Sequence, residues 1–218
     1  MKKLEFFVYV IESPNDFDLL NNRTEGNLIK NAVSLDEIPC VVRTATSKET
    51  FSWALSDGLI EAIKDLPRRL PILHISAHGN EEGLGLTNGE IVTWNELKDR
   101  LIVLNKYFQN ELILCMSSCK GLSACRMAMR IEDDQYPFLG MIGNDESPTW
   151  SETAIGFATF YHHLRRGSNV NNALNAMKVA SGNNRFRVIT SDQARKAYLD
   201  GINEINLLKL AEELKERE

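Results

Sequence analysis

No run in the 218 residues approaches the roughly 18 or more consecutive apolar residues of a membrane-spanning helix. Lysine and arginine form no long cluster and are outnumbered 25 to 30 by aspartate and glutamate, for a formal net charge of −5. That balance supplies no electrostatic footprint for direct nucleic-acid binding. Cysteine is scarce too. The four thiols, Cys40, Cys115, Cys119 and Cys125, are too few for a disulfide scaffold in a chain of this size. Three of them fall in one short stretch, which points to reduced thiols. Internal repeats, low-complexity tracts and clear linkers are missing as well. With 43% hydrophobic residues, one domain over 1–218 around one sizeable core is the simplest reading.

The opening "MKKLEFFVYVIESPND" sets two lysines before an apolar stretch, as a secretory leader does. It also carries Glu5, alternates with aromatic and β-branched residues, and offers no small-residue cleavage site. It reads as a first strand, and the chain as a cytoplasmic protein.

What is present is a rhythm of strands and helices. "LEFFVYVI" from Leu4, "CVVRTA" from Cys40, "LPILHIS" from Leu70, "ELILCMS" from Glu111 and "PFLGMIG" from Pro137 are nearly continuous apolar runs. Strands covered on both faces of a parallel sheet look like this. Thr46 with Glu49 forms a capping box for a helix that carries Phe51, Leu55, Leu59, Ala62, Ile63 and Leu66 on one face and stops at Pro67. Thr93 with Glu96 forms a second box. A helix opening at Ser147-Pro148 turns Ala154, Phe157, Ala158, Tyr161 and Leu164 inward and ends at Gly167. Another begins near Ser168 with Val170, Leu174, Met177 and Ala180 as its stripe. "INEINLLKLAEELK" closes the chain as an amphipathic helix, and the acidic tail beyond it reads as a solvated face. Asn88-Gly89, between two short apolar runs, marks a small β-hairpin insertion. Together these describe an α/β/α sandwich: a mostly parallel sheet with helices on both faces.

Ligands in open α/β sheets bind beyond the carboxyl ends of strands. Two strand ends stand out, "ISAHGN" and "CMSSCKG". A cysteine nucleophile needs a base or cation nearby, and histidine titrates in the right range. His78 and Cys119 are separated by a hairpin, a helix and a strand, a crossover that sets their strands side by side. Gly79 lets backbone approach a substrate, and free amides there can stabilise an oxyanion. The remaining residues read more blandly. Cys40, Cys115 and Cys125 fit as core thiols. His162 and His163 sit at a helix C-terminus beside Arg165 and Arg166, where cations are favoured. Trp53, Trp94 and Trp150 read as packing residues near helix starts, and Met127 and Met129 as gap fillers. A zinc site from His74, His78, Cys115 and Cys119 fails on geometry, because residues four apart on a strand stand roughly 13 Å apart. The glycines at 79, 83, 85 and 89 lack the Gly-Lys-Ser/Thr and following helix of a phosphate loop.

"LHISAHGN" followed by "LILCMSSCKG" resembles the His-Gly and Cys-Gly signatures of caspase-fold cysteine peptidases, above all the bacterial CHAT branch, relatives of separase and metacaspases. "GLGLTNGEIVTWNEL" is similar to that family's hairpin and following helix. The segment from Phe138 to Met177 is similar to its later strand and helix pair. The resemblance covers roughly Leu70 to Ala180. It implies a caspase-like fold and a cysteine endopeptidase with His78 as general base and Cys119 as nucleophile. The amides of Gly79 and Cys119 would then form the oxyanion hole, with His74 and Ser118 supporting. It implies no cofactor and no metal, a protein or peptide substrate, and control by a partner subunit or sensor. Bacterial relatives act in phage defence and regulated cell death, including gasdermin cleavage.

Many relatives carry an acidic residue or Gln two places before the cysteine, where this chain has Ser117, so their specificity does not transfer. Asp145 and Glu146 are the nearest acidic candidates for a pocket that takes a basic side chain. A helix N-terminal charge pair is the competing reading for both. A catalytically inactive scaffold of the same fold is the alternative to the enzyme, and a redox-sensing thiol comes third. Deleting the residues after Gly201 tests the last helix. If it closes the core, the truncated chain loses cooperative thermal unfolding; if it docks a partner, only partner binding is lost.

Overall fold

The computed structural model describes residues 5–130 and 135–215, with 205–215 given by their helical backbone alone. The amphipathic face expected in "INEINLLKLAEELK" therefore falls largely outside the described side chains.

Six strands form the main sheet in the order β2 (Cys40–Thr44), β1 (Phe6–Ser13), β3 (Leu70–Gly79), β6 (Ile113–Ser117), β7 (Gly140–Asn144), β8 (Phe186–Thr190). All neighbours pair in parallel except β8, which runs antiparallel to β7. β4 (Gly83–Gly85) and β5 (Ile91–Thr93) make a hairpin against the end of β3. Its turn holds Gly89 at φ +86°, the backbone region that favours glycine.

β1 shows why the strand runs are continuously apolar. All eight of its residues are buried. Phe7, Tyr9 and Ile11 enter one core with α3 (Lys48–Leu55), α4 (Asp57–Asp65) and α5 (Trp94–Tyr107). Phe6, Val8 and Val10 enter the other with α2 (Glu25–Ser34), α6 (Trp150–Arg165) and α7 (Val170–Ser181). Alternate side chains serve opposite faces, and each face is covered. The three-layer α/β/α architecture follows.

Several boundaries differ from the sequence reading. The helix expected from Thr46 to Leu66 is two helices. Its capping box is Ser47 with Thr50, and it breaks at Ser56, whose φ −112° and ψ −95° are not helical. The Tyr9 hydroxyl donates to the Ala54 carbonyl at 2.7 Å. An unbroken helix would give that acceptor to the amide of residue 58. The box at Thr93 and Glu96 forms as expected. α6 opens at Trp150 behind a Thr149–Glu152 capping box, not at Ser147-Pro148. α7 is capped by Asn169, and Ala180 is exposed rather than part of the buried stripe. The sequence reading also left out α1 (Asp16–Leu20), α2 and β8, and the closing helix α8 (Ser191–Lys215) begins earlier than expected.

Phe157 ties the α6 layer to the sheet. Its ring meets His74 edge-on at 4.7 Å, meets Phe186 edge-on at 5.9 Å, and stacks over Tyr161 at 6.2 Å. Phe157→Ala should destabilise the protein by about 3–5 kcal/mol, read as a lower urea midpoint.

Candidate active site

The two singled-out strand ends are neighbours. β3 and β6 pair in parallel from Ile72 with Ile113 through Ser76 with Ser117. His78 lies two residues beyond Ser76, and Cys119 two residues beyond Ser117. The overhang is equal, so imidazole and thiol emerge at the same rim. On its other side His78 pairs with Gly85 of β4, and Gly79 with Leu84. Asn80 donates its amide to Gly83 O at 3.0 Å. Narrow and wide pairs alternate in an antiparallel ladder, so the Gly79 amide is turned away from β4 and toward the Cys119 side.

The two loops touch at Gly79. A Cβ at this position would lie 2.6 Å from the Cys119 carbonyl oxygen and 2.9 Å from the Ser118 Cβ. Glycine is required by proximity here. Cys119 sits in a tight turn closed by the Gly121 amide donating to Ser118 O at 3.0 Å. Lys120 takes φ +51°, a strained choice for a residue with a side chain. Its amide donates to Glu146 O at 2.6 Å, which anchors the turn to the loop after β7. A 3-10 helix (Gly121–Ala128) follows, carrying Cys125.

His78, Cys119, Ser117 and Ser118 share a cleft of about 100 Å³ with Pro148 and Trp150. The Trp150 ring lies edge-on to His78 at 6.0 Å. Cys119 also borders a shallower depression of about 340 Å³ with Gly79, Asn80, Glu81, Lys120 and Ser147. His78 is exposed and Cys119 half-buried, so a ligand can reach both. The other thiols are set apart by burial, which pushes Cys40 and Cys115 up to about 12 and raises Cys125. Thiols raised in this way are poor nucleophiles.

Charges line the rim. Glu81 Oε1 accepts from Lys120 Nζ at 2.9 Å, and Arg126 approaches the same carboxylate at 3.8 Å. The Lys120 bond holds the Glu81 carboxyl below its ordinary value. Asp145 and Glu146 do not line either cleft. Asp145 faces Arg185 at 3.4 Å and Arg187 at 3.8 Å, and Glu146 pairs with Arg185. That bond lowers the Glu146 carboxyl.

Beneath the rim lies a buried polar layer. His74, fully buried, shares a hydrogen bond through Nδ1 with the Tyr161 hydroxyl at 2.7 Å. The Ser76 and Ser117 hydroxyls both donate to Glu25 Oε2 at 2.6 Å. Ser118 is buried with no hydrogen-bond partner for its hydroxyl among the described residues. His162 pairs with Asp36 at 2.6 Å, at the far end of α6. Trp94 is buried, whereas Trp53 and Trp150 are 42% and 38% exposed, more open than packing residues. Among the described residues, no three His, Cys, Asp or Glu side chains gather as metal ligands.

The sequence reading missed Glu25 and the position of Trp150. Glu25 carried a signal, because an acidic residue directly after Thr24 starts the run in which Ile29 and Val33 repeat at helical spacing. Nothing in the sequence marked Trp150 as a cleft residue.

No family model matches the chain, and no curated protein matches it. Among solved structures it is similar to gingipain R, described as an Arg-specific cysteine proteinase. The TM-score is 0.48 and the identity 11%, over 82% of this chain and 44% of that one. The chain thus spans less than half the length of that protein.

Proposed function

We propose that the chain is a cysteine endopeptidase acting through His78 and Cys119. The observation that carries this reading is the shared overhang. An imidazole and a thiol stand two residues past one register pair, on one cleft, with glycine at the contact between their loops.

His78 takes the Cys119 proton, and the thiolate sulfur attacks the scissile carbonyl carbon. The carbonyl oxygen takes up the negative charge, facing the amides of Gly79 and Cys119. The carbon–nitrogen bond breaks as the His78 imidazolium gives its proton to the leaving amine, which leaves a thioester on Cys119. Water, deprotonated by His78, releases the acid and the free thiol. Trp150 walls the cleft beside the imidazole. His74 and Tyr161 hold the strand beneath, and Ser118 supports the turn. Control by a separate subunit, and a role in bacterial defence, draw their support from the sequence resemblance.

Cys119→Ala should abolish peptide cleavage. His78→Ala should lower kcat/KM by about 100- to 10,000-fold. Both variants should keep the parent thermal midpoint, and full cleavage by the Cys119 variant ends the proposal. A peptidyl electrophile should label Cys119 and spare the other three cysteines on intact-mass and peptide analysis. An inactive scaffold would show no such selectivity.

Gly79→Ala should separate the two loops. A displacement of about 1 Å costs on the order of 100-fold in rate. The expected result is that much loss of kcat/KM with the far-ultraviolet dichroism unchanged.

A further inference from the structure

One cavity beside the site contains neither His78 nor Cys119. It measures about 510 Å³ and lies between the first turns of α2 and α6, with Thr24, Glu25, Asn27, Leu28 and Trp150 in its wall. Trp150 also lines the Cys119 cleft.

Glu25 is the unusual member. Its side chain is 1% exposed, and its two oxygens have different fates. Oε2 accepts both serine hydroxyls, while Oε1 is buried without a hydrogen-bond partner among the described residues. The Thr24 hydroxyl, beside it in the cavity wall, makes no full hydrogen bond among the described residues, the buried Glu12 carboxyl being the acceptor it approaches. His74 Nε2 stands 3.8 Å from Oε2, beyond hydrogen-bond distance. A buried carboxylate oxygen without a donor is costly, and such groups call for a partner that arrives from outside.

The surroundings decide the sign of that partner. Glu12, also buried, accepts the amide of Gly26 directly after Glu25, and burial raises its carboxyl above the ordinary value, so it adds little negative charge here. Among the described residues of the wall, the one cation is Arg23, which is largely exposed and paired with Asp18 at 3.0 Å. The wall thus holds one carboxyl and one cation, and with the cation already paired to Asp18, Glu25 is the wall residue left with an oxygen that no described donor meets.

The position relates to the scissile bond. Glu25 is tied to Ser117, and Cys119 is two residues on, at most about 7 Å of extended chain. We propose that this cavity is a cation subsite in which Glu25 Oε1, with the Thr24 hydroxyl, receives the guanidinium or ammonium group of a substrate side chain next to the scissile bond. The substrate part rests on the peptidase reading; the cation site does not. Ser117 holds the carboxylate in place rather than meeting the ligand, and Asp145 and Glu146, already paired with arginines, take no part.

The test uses agmatine and its neutral counterpart butylurea, titrated calorimetrically into the full-length Cys119→Ala protein. Agmatine should bind saturably, and butylurea at least about tenfold more weakly. Glu25→Gln keeps an acceptor for both serines and should remove that preference. Leu28→Arg, at a half-exposed position one turn along the same helix face, places a tethered cation in the cavity. It should block agmatine without altering the thermal midpoint, which covers the case in which the Glu25 variant fails to fold. Equal binding of the two probes, no agmatine binding, or undiminished agmatine binding by Leu28→Arg each overturns the cation site.

With the native protein, a peptide carrying arginine before the cleaved bond should exceed its citrulline twin by at least about tenfold in kcat/KM. Leu28→Arg should collapse that ratio. Equal cleavage of the twins alongside agmatine binding overturns the substrate assignment. Cleavage of neither peptide alongside agmatine binding sinks the peptidase reading and the substrate assignment together, and leaves the cation site standing.

Discussion

The five-rung parallel ladder between β3 and β6 is the constraint on which the rest depends. A slip of one residue would turn every side chain on a strand to the opposite face. Leu73 and Ile75 would then leave the core they share with Phe7 and Ile11, while His74 would leave its place against Phe157. Both cores oppose that slip. The register needed for burial therefore also fixes how far His78 and Cys119 project past the last rung. No separate device is needed to align them.

Glu25 reinforces that register from the side. It takes a hydroxyl from each strand at the final rung, Ser76 on β3 and Ser117 on β6, so one carboxylate measures both strands at once. Hydrogen bonds to a charged acceptor are shorter and stronger than neutral ones. Its helix, α2, is fastened in turn by Ile29 and Val33 against the sheet. Apolar burial sets the layers, and the polar layer near the strand ends sets their relative height.

Much of this was legible in the sequence because burial on two faces leaves a plain mark. Leu70–Ser76 and Glu111–Ser117 read as buried strands, and they are neighbours because the crossover between them is the length of one hairpin and one helix. The Asn88-Gly89 turn and the Thr93–Glu96 box were likewise visible, since each depends on local chemistry alone. What escaped was decided at a distance. The break at Ser56 falls where Tyr9, far away in sequence, takes a helical carbonyl. β8 runs against its neighbours after a short connection from α7, and "FRVIT" is too short to announce a direction. Asp145 and Glu146 looked available because Arg185 and Arg187 follow some forty residues later. Trp150 reads as helix filler until α6 starts at that residue and sets its ring beside His78.

The loops that bear imidazole and sulfur are held together in two very different ways. Below, the ladder and the two serine hydroxyls bonded to Glu25 Oε2 are buried. Above, Glu81 spans to Lys120 and Arg126 through half-exposed side chains, where mobile ions screen charges over about 8 Å at physiological strength. Electrolyte therefore reaches the upper fastening and not the lower one. The site has a floor indifferent to its medium and a lip that loosens as the medium grows more saline.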